Sequence, residues 1–143
     1  ELHAAQLAAH HGLQNDLRAH WAAGKPLWAE CGGMLALFAS LRLQDGREQA
    51  MWGLLPGTAA MQPRLASLGP RQIDLAGQVL RGHSFHYSTA DCSAPVLARS
   101  SRPGGQDADG EPLYAHGSLR ASYFHAWFAS NPVAVAQLLG GAT

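Results

Sequence analysis

The stretch running from Pro26 to Ala39 constrains the fold more than any other part of the chain. Pro26-Leu27-Trp28-Ala29-Glu30 is a short apolar run of the length expected for a buried strand. Cys31-Gly32-Gly33 follows at once, and Met34-Leu35-Ala36-Leu37-Phe38-Ala39 reads as helix. Upstream, Leu2 to Ala23 is rich in Ala, Leu and Gln and reads as helix, with Gly12 as a break between two segments. Gly24 supplies the stop and Lys25-Pro26 confirm it. Helix, strand, sharp turn and helix in succession predict an α/β arrangement with a parallel sheet.

The cysteine occupies the turn itself, which gives it a chemical reading. A strand that turns sharply into a helix holds the intervening residue on a tight elbow, exposed at the carboxyl end of the sheet. Small neighbours are expected there, because a side chain would meet the returning helix, and Gly32 and Gly33 fit that need. A thiol at a helix N-terminus feels the positive end of the helix dipole, which favours the thiolate. The N–H of Gly32, just after the nucleophile, faces a developing oxyanion. The opposite reading is a buried structural cysteine beside a glycine-rich turn, since free Cys is among the most buried residue types. Cys92, between Asp91 and Ser93 in a turn-like stretch, has none of these features and reads as incidental.

A thiolate nucleophile is usually served by a histidine acting as base and acid. Of the eight histidines, His3, His10, His11 and His20 fall on the Ala-rich helices and read as solvated. His83 and His86 lie three apart on a predicted strand, hence on opposite faces, so a shared metal is not expected. His125 closes Ala121-Ser122-Tyr123-Phe124-His125 at the carboxyl end of the last predicted strand. In an open α/β sheet ligands bind at that end, on the same edge as the Cys31 elbow, which makes His125 the candidate base.

Between Asp45-Gly46 and about Gly117, Gly and Pro recur and the apolar runs shorten. Leu80 to Tyr87, Pro95 to Arg99, Pro112 to His116 and Leu119 to Phe124 read as strands. Arg102 to Gly110 reads as a hairpin tip, and Ser130-Asn131-Pro132 as a helix start with a polar cap and Pro in the first turn, the helix running to Gly140-Gly141. The 143 residues suffice for one core. Lys plus Arg and Asp plus Glu are 10 each, a balance that argues against a nucleic-acid surface. Charged residues are 14%, below the roughly 25% of soluble domains. So sparse a charge points to a neighbouring domain or subunit. Two cysteines exclude a disulfide-stapled scaffold, no apolar run approaches a membrane span, and no signal peptide is evident. The default location is cytoplasmic.

Three segments occur in order and spacing: Ala29-Glu30-Cys31-Gly32-Gly33-Met34, Leu80-Arg81-Gly82-His83-Ser84-Phe85-His86-Tyr87-Ser88, and Ser122-Tyr123-Phe124-His125-Ala126-Trp127-Phe128. Together they resemble the C-terminal glutaminase domain of cobyrinic acid or hydrogenobyrinic acid a,c-diamide synthases. The opening Glu1-Leu2-His3-Ala4 is similar to the end of that family's Gly-Gly-Tyr-Pro-Glu loop and the start of its helix. The resemblance covers residues 1–143 as one glutaminase domain, partial at its N-terminus.

The resemblance implies a class I, triad-type glutamine amidotransferase with a flavodoxin-like α/β fold, a mostly parallel sheet and helices on both faces. It implies Cys31 as nucleophile, His125 as acid and base, and Gly32 as oxyanion donor. It also places His86, Tyr87 and Ser88 beside bound glutamine, near its α-amino and carboxylate groups. Typical members of the wider class carry Glu two residues after the histidine; here that position is Trp127, so the third triad member is unassigned. No metal is expected. ATP and Mg²⁺ are expected in an N-terminal synthetase domain of the same chain, which receives the ammonia and holds the corrinoid substrate. A homodimer is one candidate assembly. Competing readings are the glutaminase of a related amidotransferase (cobyric acid synthase or a cell-wall enzyme), an inactive glutaminase-like interaction module, and a cysteine hydrolase of unrelated substrate.

Overall fold

The computed structural model describes residues 3–105 and 110–140. The chain opens with α1 (Ala4–Ala8) and α2 (His11–Ala22), then β1 (Leu27–Glu30) and the one-turn α3 (Gly32–Leu35). Strands follow: β2 (Ser40–Arg42), β3 (Glu48–Ala50), β4 (Gly57–Met61), β5 (Ser67–Leu75), β6 (Gln78–His86), β7 (Ser88–Cys92), β8 (Val96–Ser101), β9 (Pro112–His116), β10 (Leu119–Ser122) and β11 (His125–Ala126). A 3₁₀ turn (Phe128–Ser130) leads into α4 (Pro132–Leu139).

Helix–strand–turn–helix is therefore observed at the start of the chain. The break between the first two helices falls at Ala9-His10 and not at Gly12, which lies inside α2. The reason is a side-chain cap: His10 Nδ1 accepts from the Leu13 N–H at 3.2 Å, so His10 starts the second helix. Gly24, at φ 71°, terminates α2 as expected. Asn131 caps α4 through its side chain, accepting from Ala134 N at 3.1 Å, with Pro132 in the first turn. Glu1 and Leu2, the hairpin tip at Gln106 to Asp109, and Gly141 lie outside the described residues.

The helix expected over Met34–Ala39 is shorter. After Leu35 the backbone carbonyls of Ala36, Leu37, Phe38 and Ala39 accept from Trp52, Leu55, Gly53 and Met51 rather than from their own helix. An apolar run buried on every side carries no amphipathic stripe to keep it helical, and pairing with a neighbouring segment wins.

Seven strands form one sheet in the order β1-β10-β9-β8-β5-β6-β11, and four form another, β3-β2-β4-β7. The expectation of a mostly parallel sheet is corrected: among the described residues only β1–β10 and β2–β4 run parallel. The middle of the chain advances by hairpins such as β5–β6 and β8–β9, and a tight connection can join only antiparallel neighbours. The β5–β6 turn is Ala76-Gly77, both at positive φ (52° and 87°), with Asp74 Oδ1 accepting from Gly77 N at 2.6 Å.

Helices do lie on both faces. One apolar cluster joins α1 and α3 to the sheet through Met34, Phe38, Leu119, Ala121 and Tyr114. The other joins α4 to it through Leu80, Leu113, Phe124, Ala134 and Leu138. Leu113 and Tyr114 are consecutive on β9 and feed opposite clusters, as strand alternation requires.

The chain path brings the two edges of the long sheet near one another, and the Glu30 side chain on β1 accepts from Ala126 N on β11. β10 lies beside β1 and β11 lies beside β6, yet only Tyr123 and Phe124 separate β10 from β11. These two aromatics enter different clusters, Tyr123 with α3 and Phe124 with α4, and so fix the crossing. β6 admits the crossing strand only because residue 82 is glycine. A Cβ there would stand 2.1 Å from His125 O and 2.6 Å from the Phe124 ring. Gly33 differs: a Cβ there meets nothing within 4 Å, so the expected clash with the returning helix does not arise at that position. Gly82→Ala is expected to lower the free energy of unfolding by about 1–3 kcal/mol, as overpacking does. Gly33→Ala should be neutral or slightly stabilising; denaturant titration of both variants checks the contrast.

Candidate active site

Cys31 stands between β1 and α3 at φ 46°, ψ −113°. Positive φ at a residue with a Cβ costs of order 1–3 kcal/mol and persists only where surroundings over-determine it. Here the Cys31 N–H donates to Ser122 O at 2.9 Å, extending the parallel β1–β10 ladder by one residue. Its carbonyl accepts from Leu35 N at 3.1 Å, which closes the first turn of α3. The side chain is thereby turned toward β6, where Sγ donates to Phe85 O at 3.7 Å. Cys31 is half-buried and forms no disulfide. Gly32 follows at the first position of α3, where backbone N–H groups lack an intrahelical acceptor.

His125 opens β11 directly across from His83 of β6, and the two imidazoles stack with centroids 4.8 Å apart and planes at 11°. Cys31 and His125 thus converge on the same stretch of β6, one at Phe85 and the other at His83. On the other side, His125 Nδ1 lies 3.7 Å from Glu30 Oε2. Glu30 is held in turn: its Oε1 accepts from Trp28 Nε1 at 2.6 Å and from Ala126 N at 2.9 Å. Trp28 and Glu30 are two apart on β1 and share a face, so the pair forms wherever β1 is a strand. Trp127, the position two after His125, is 60% exposed.

β6 alternates as expected. His83, Phe85 and Tyr87 are exposed, whereas Ser84, His86 and Ser88 are buried. Tyr87 packs edge-on against Phe85. The His86 ring is fully committed: Nδ1 meets Ser88 O at 2.8 Å and Nε2 meets Glu111 Oε1 at 2.7 Å, while Tyr123 stacks on its face at 3.8 Å. Both ring nitrogens of His86 therefore face protein acceptors. His86 supports the strand from beneath, and Tyr87 and the backbone above it remain on the side that carries Phe85.

Glu111 is the buried counterpart. Burial alone would raise its carboxyl, but the hydrogen bonds with His86 and Ser84 outweigh that and hold it below the usual carboxylate range. Glu111, 25 residues along the chain from His86, carries no local sequence signal. Glu30, His83 and Gly82 lie within motifs that were read for other residues.

Three of the four histidines expected on the helices have local partners. His10 caps α2, His11 lies 3.4 Å from Gln14 and His20 meets Pro26 O at 3.0 Å. Cys92 lies on β7 opposite Gly57, and burial raises its thiol above the ordinary range. Among the described residues no group of three His, Cys, Asp or Glu side chains is placed to hold a metal, and no helix is long and apolar enough to cross a membrane.

Sequence comparison supplies an independent observation on the same chain. Residues 1–133 match the CobB/CobQ-like glutamine amidotransferase domain. The chain belongs to this family. A CobB/CobQ-like domain of this kind is similar to the hydrogenobyrinate a,c-diamide synthase of Pseudomonas aeruginosa, 46% identical over 142 residues, or 99% of this chain and 32% of that protein. It is 42% identical over 138 residues to the cobyrinate a,c-diamide synthase of Herminiimonas arsenicoxydans, covering 96% of this chain and 31% of the relative. The chain thus spans about a third of the length of the curated relatives it matches. The same three segments that suggested the family from the sequence are those the fold gathers: the Cys31 elbow, β6 and the β10–β11 crossing.

The Glu111 carboxyl gives this amidotransferase domain a pH signature. A carboxylate depressed by folding contributes stability above its unfolded pKa of about 4.3, and that contribution is lost as pH falls through the lower folded value. Unfolding free energy should therefore decline on acidification below the ordinary carboxylate range. Glu111→Gln should flatten that decline, read by urea denaturation at stepped pH.

Proposed function

We propose that this domain hydrolyses glutamine at Cys31 and delivers the ammonia to an ATP-dependent synthetase that amidates corrinoid carboxylates a and c. The observation that carries the reading is the meeting of Cys31 and His125 on β6, within a chain of the amidotransferase family. The corrinoid assignment rests on relatives named hydrogenobyrinate and cobyrinate a,c-diamide synthases.

The chemistry follows from these groups. His125 takes the proton of the Cys31 thiol, and the resulting thiolate attacks the side-chain amide carbon of glutamine, forming a C–S bond and placing negative charge on the amide oxygen. The Gly32 N–H, unpaired at the start of α3, points its dipole at that oxygen. Collapse breaks the C–N bond, and His125 hands a proton to the departing nitrogen, which leaves as ammonia. Water, deprotonated by His125, then attacks the γ-glutamyl thioester, the C–S bond breaks, and glutamate and the free thiol are released. Glutamine and water become glutamate and ammonia, with no change of oxidation state. Tyr87 and the adjoining backbone of Phe85 to Ser88 flank the substrate's α-substituents.

ATP and Mg²⁺ belong to the synthetase part of the protein. The residues here do not fit a nucleotide: the sole lysine, Lys25, is followed by Pro26 and lies in no Gly-rich phosphate loop. No step of the glutaminase reaction passes through them. A cytoplasmic setting and association with a synthetase domain complete the reading.

In the full-length protein, Cys31→Ala should abolish glutamine-dependent amidation while leaving amidation from free ammonium salts intact. Persistence of the glutamine-dependent reaction in that variant, measured by product mass, would overturn the assignment.

A further inference from the structure

We infer that Glu30 is the carboxylate that orients His125, replacing the acidic residue absent from position 127. The inference rests on the glutaminase reading above and deepens it. A histidine serving as base must present an unprotonated Nε2, which requires the proton to sit on Nδ1, and an acceptor beyond Nδ1 selects that tautomer. Among the described residues the carboxylate beside that nitrogen is Glu30, with Oε2 at 3.7 Å. Glu111, the other carboxylate in this region, is engaged with His86 and Ser84 instead.

Glu30 is built to hold this position. Its Oε1 is fixed by two donors, Trp28 Nε1 and Ala126 N, and Ala126 is the residue next to His125. With one oxygen held by two donors the carboxylate plane is fixed, and Oε2 stays beside His125 Nδ1. The 3.7 Å separation exceeds a hydrogen bond, and such contacts in ligand-free sites commonly tighten when substrate binds. The remaining groups facing His125 do not compete for Nδ1 as anionic acceptors. His83 stacks on the face of its ring, and Cys31 lies toward β6.

Position also couples the two functional residues. Glu30 immediately precedes Cys31, so the strand that ends in the nucleophile's elbow carries the orienting group as its last residue. In the wider class a carboxylate two residues beyond the histidine approaches along the histidine's own strand. Here it approaches from the nucleophile's strand, because the β10–β11 crossing sets β11 within reach of the Glu30 side chain at the end of β1. Glu30 is accordingly a positioning residue that acts through His125, with no contact to substrate required.

The test is Glu30→Gln in the full-length protein. Gln keeps an Oε1 acceptor for Trp28 and Ala126, so the fold is retained, but it turns an amide donor toward Nδ1 and favours the wrong tautomer. The expected result is a fall in kcat for glutamine hydrolysis of about 10²–10⁴-fold, with KM for glutamine little changed and ammonia-dependent amidation intact. Wild-type kcat in this variant would overturn the inference. So would an equal loss of glutamine- and ammonia-dependent activity, which marks a structural role. A second measurement needs no variant: ¹⁵N spectra of histidine-labelled wild-type protein should show the His125 proton on Nδ1 when the ring is neutral. A proton on Nε2 would overturn the inference as well. If Cys31→Ala retains glutamine-dependent amidation, the glutaminase reading itself fails. If Cys31→Ala loses it while Glu30→Gln does not, only the role of Glu30 fails.

Discussion

The Glu30 carboxylate is the tie on which the arrangement of the site depends. It lies at the end of β1, one edge of the seven-stranded sheet, and accepts a backbone N–H from β11, the other edge. A half-buried carboxylate accepting from an indole and an amide is well satisfied, and hydrogen bonds to a charged acceptor are the stronger kind. Without it the edge strand β11, two residues long, would rest on its pairing with β6 alone. With it, the elbow cysteine and the histidine are referred to one fixed group, and their relative position follows from the backbone of two strands rather than from loops.

Strain and burial support that arrangement from below. The left-handed Cys31 backbone is held by hydrogen bonds at both ends, to Ser122 and from Leu35. Beneath β6, His86, Glu111, Ser84 and Tyr123 form a buried polar layer in which each ring nitrogen of His86 is paired. Such layers are costly where a member is unsatisfied, and here His86, Glu111 and Ser84 are paired while the Tyr123 hydroxyl has no partner among the described residues. The exposed face above carries His83, Phe85 and Tyr87, so one strand separates a structural network from the surface facing Cys31.

Much of this was legible in the sequence. The Cys31 elbow, the strand Pro112–His116, the Asn131 cap and the alternation of β6 each follow from rules acting within a few residues, and the structure reproduces them. What failed were inferences that needed distant partners. Strand direction was misjudged because the first helix–strand–helix unit was extended to the middle of the chain, whose turns permit only antiparallel pairing. The β5–β6 hairpin was missed because its turn, Ala76-Gly77, places a non-glycine residue at positive φ, where Asn or Asp is the usual marker. The pairing of His86 with Glu111 has no signal near either residue in the sequence. Glu30 lies inside the most informative motif, but its role depends on Ala126 of β11, 96 residues later.

The crossing from β10 to β11 has a consequence of a different kind. Ser122 is fixed against the β1 ladder and His125 against His83, and the two residues between them are anchored in opposite cores. The span is taut, so its length acts as a gauge that sets how far the histidine stands from the elbow. Side chains at Tyr123 and Phe124 can change within the limits of packing. Their number cannot, because one residue more or fewer would turn the imidazole to the other face of the strand. In this fold the reach of the histidine is counted in residues, and drift by insertion or deletion is closed to this segment even where drift by substitution is open.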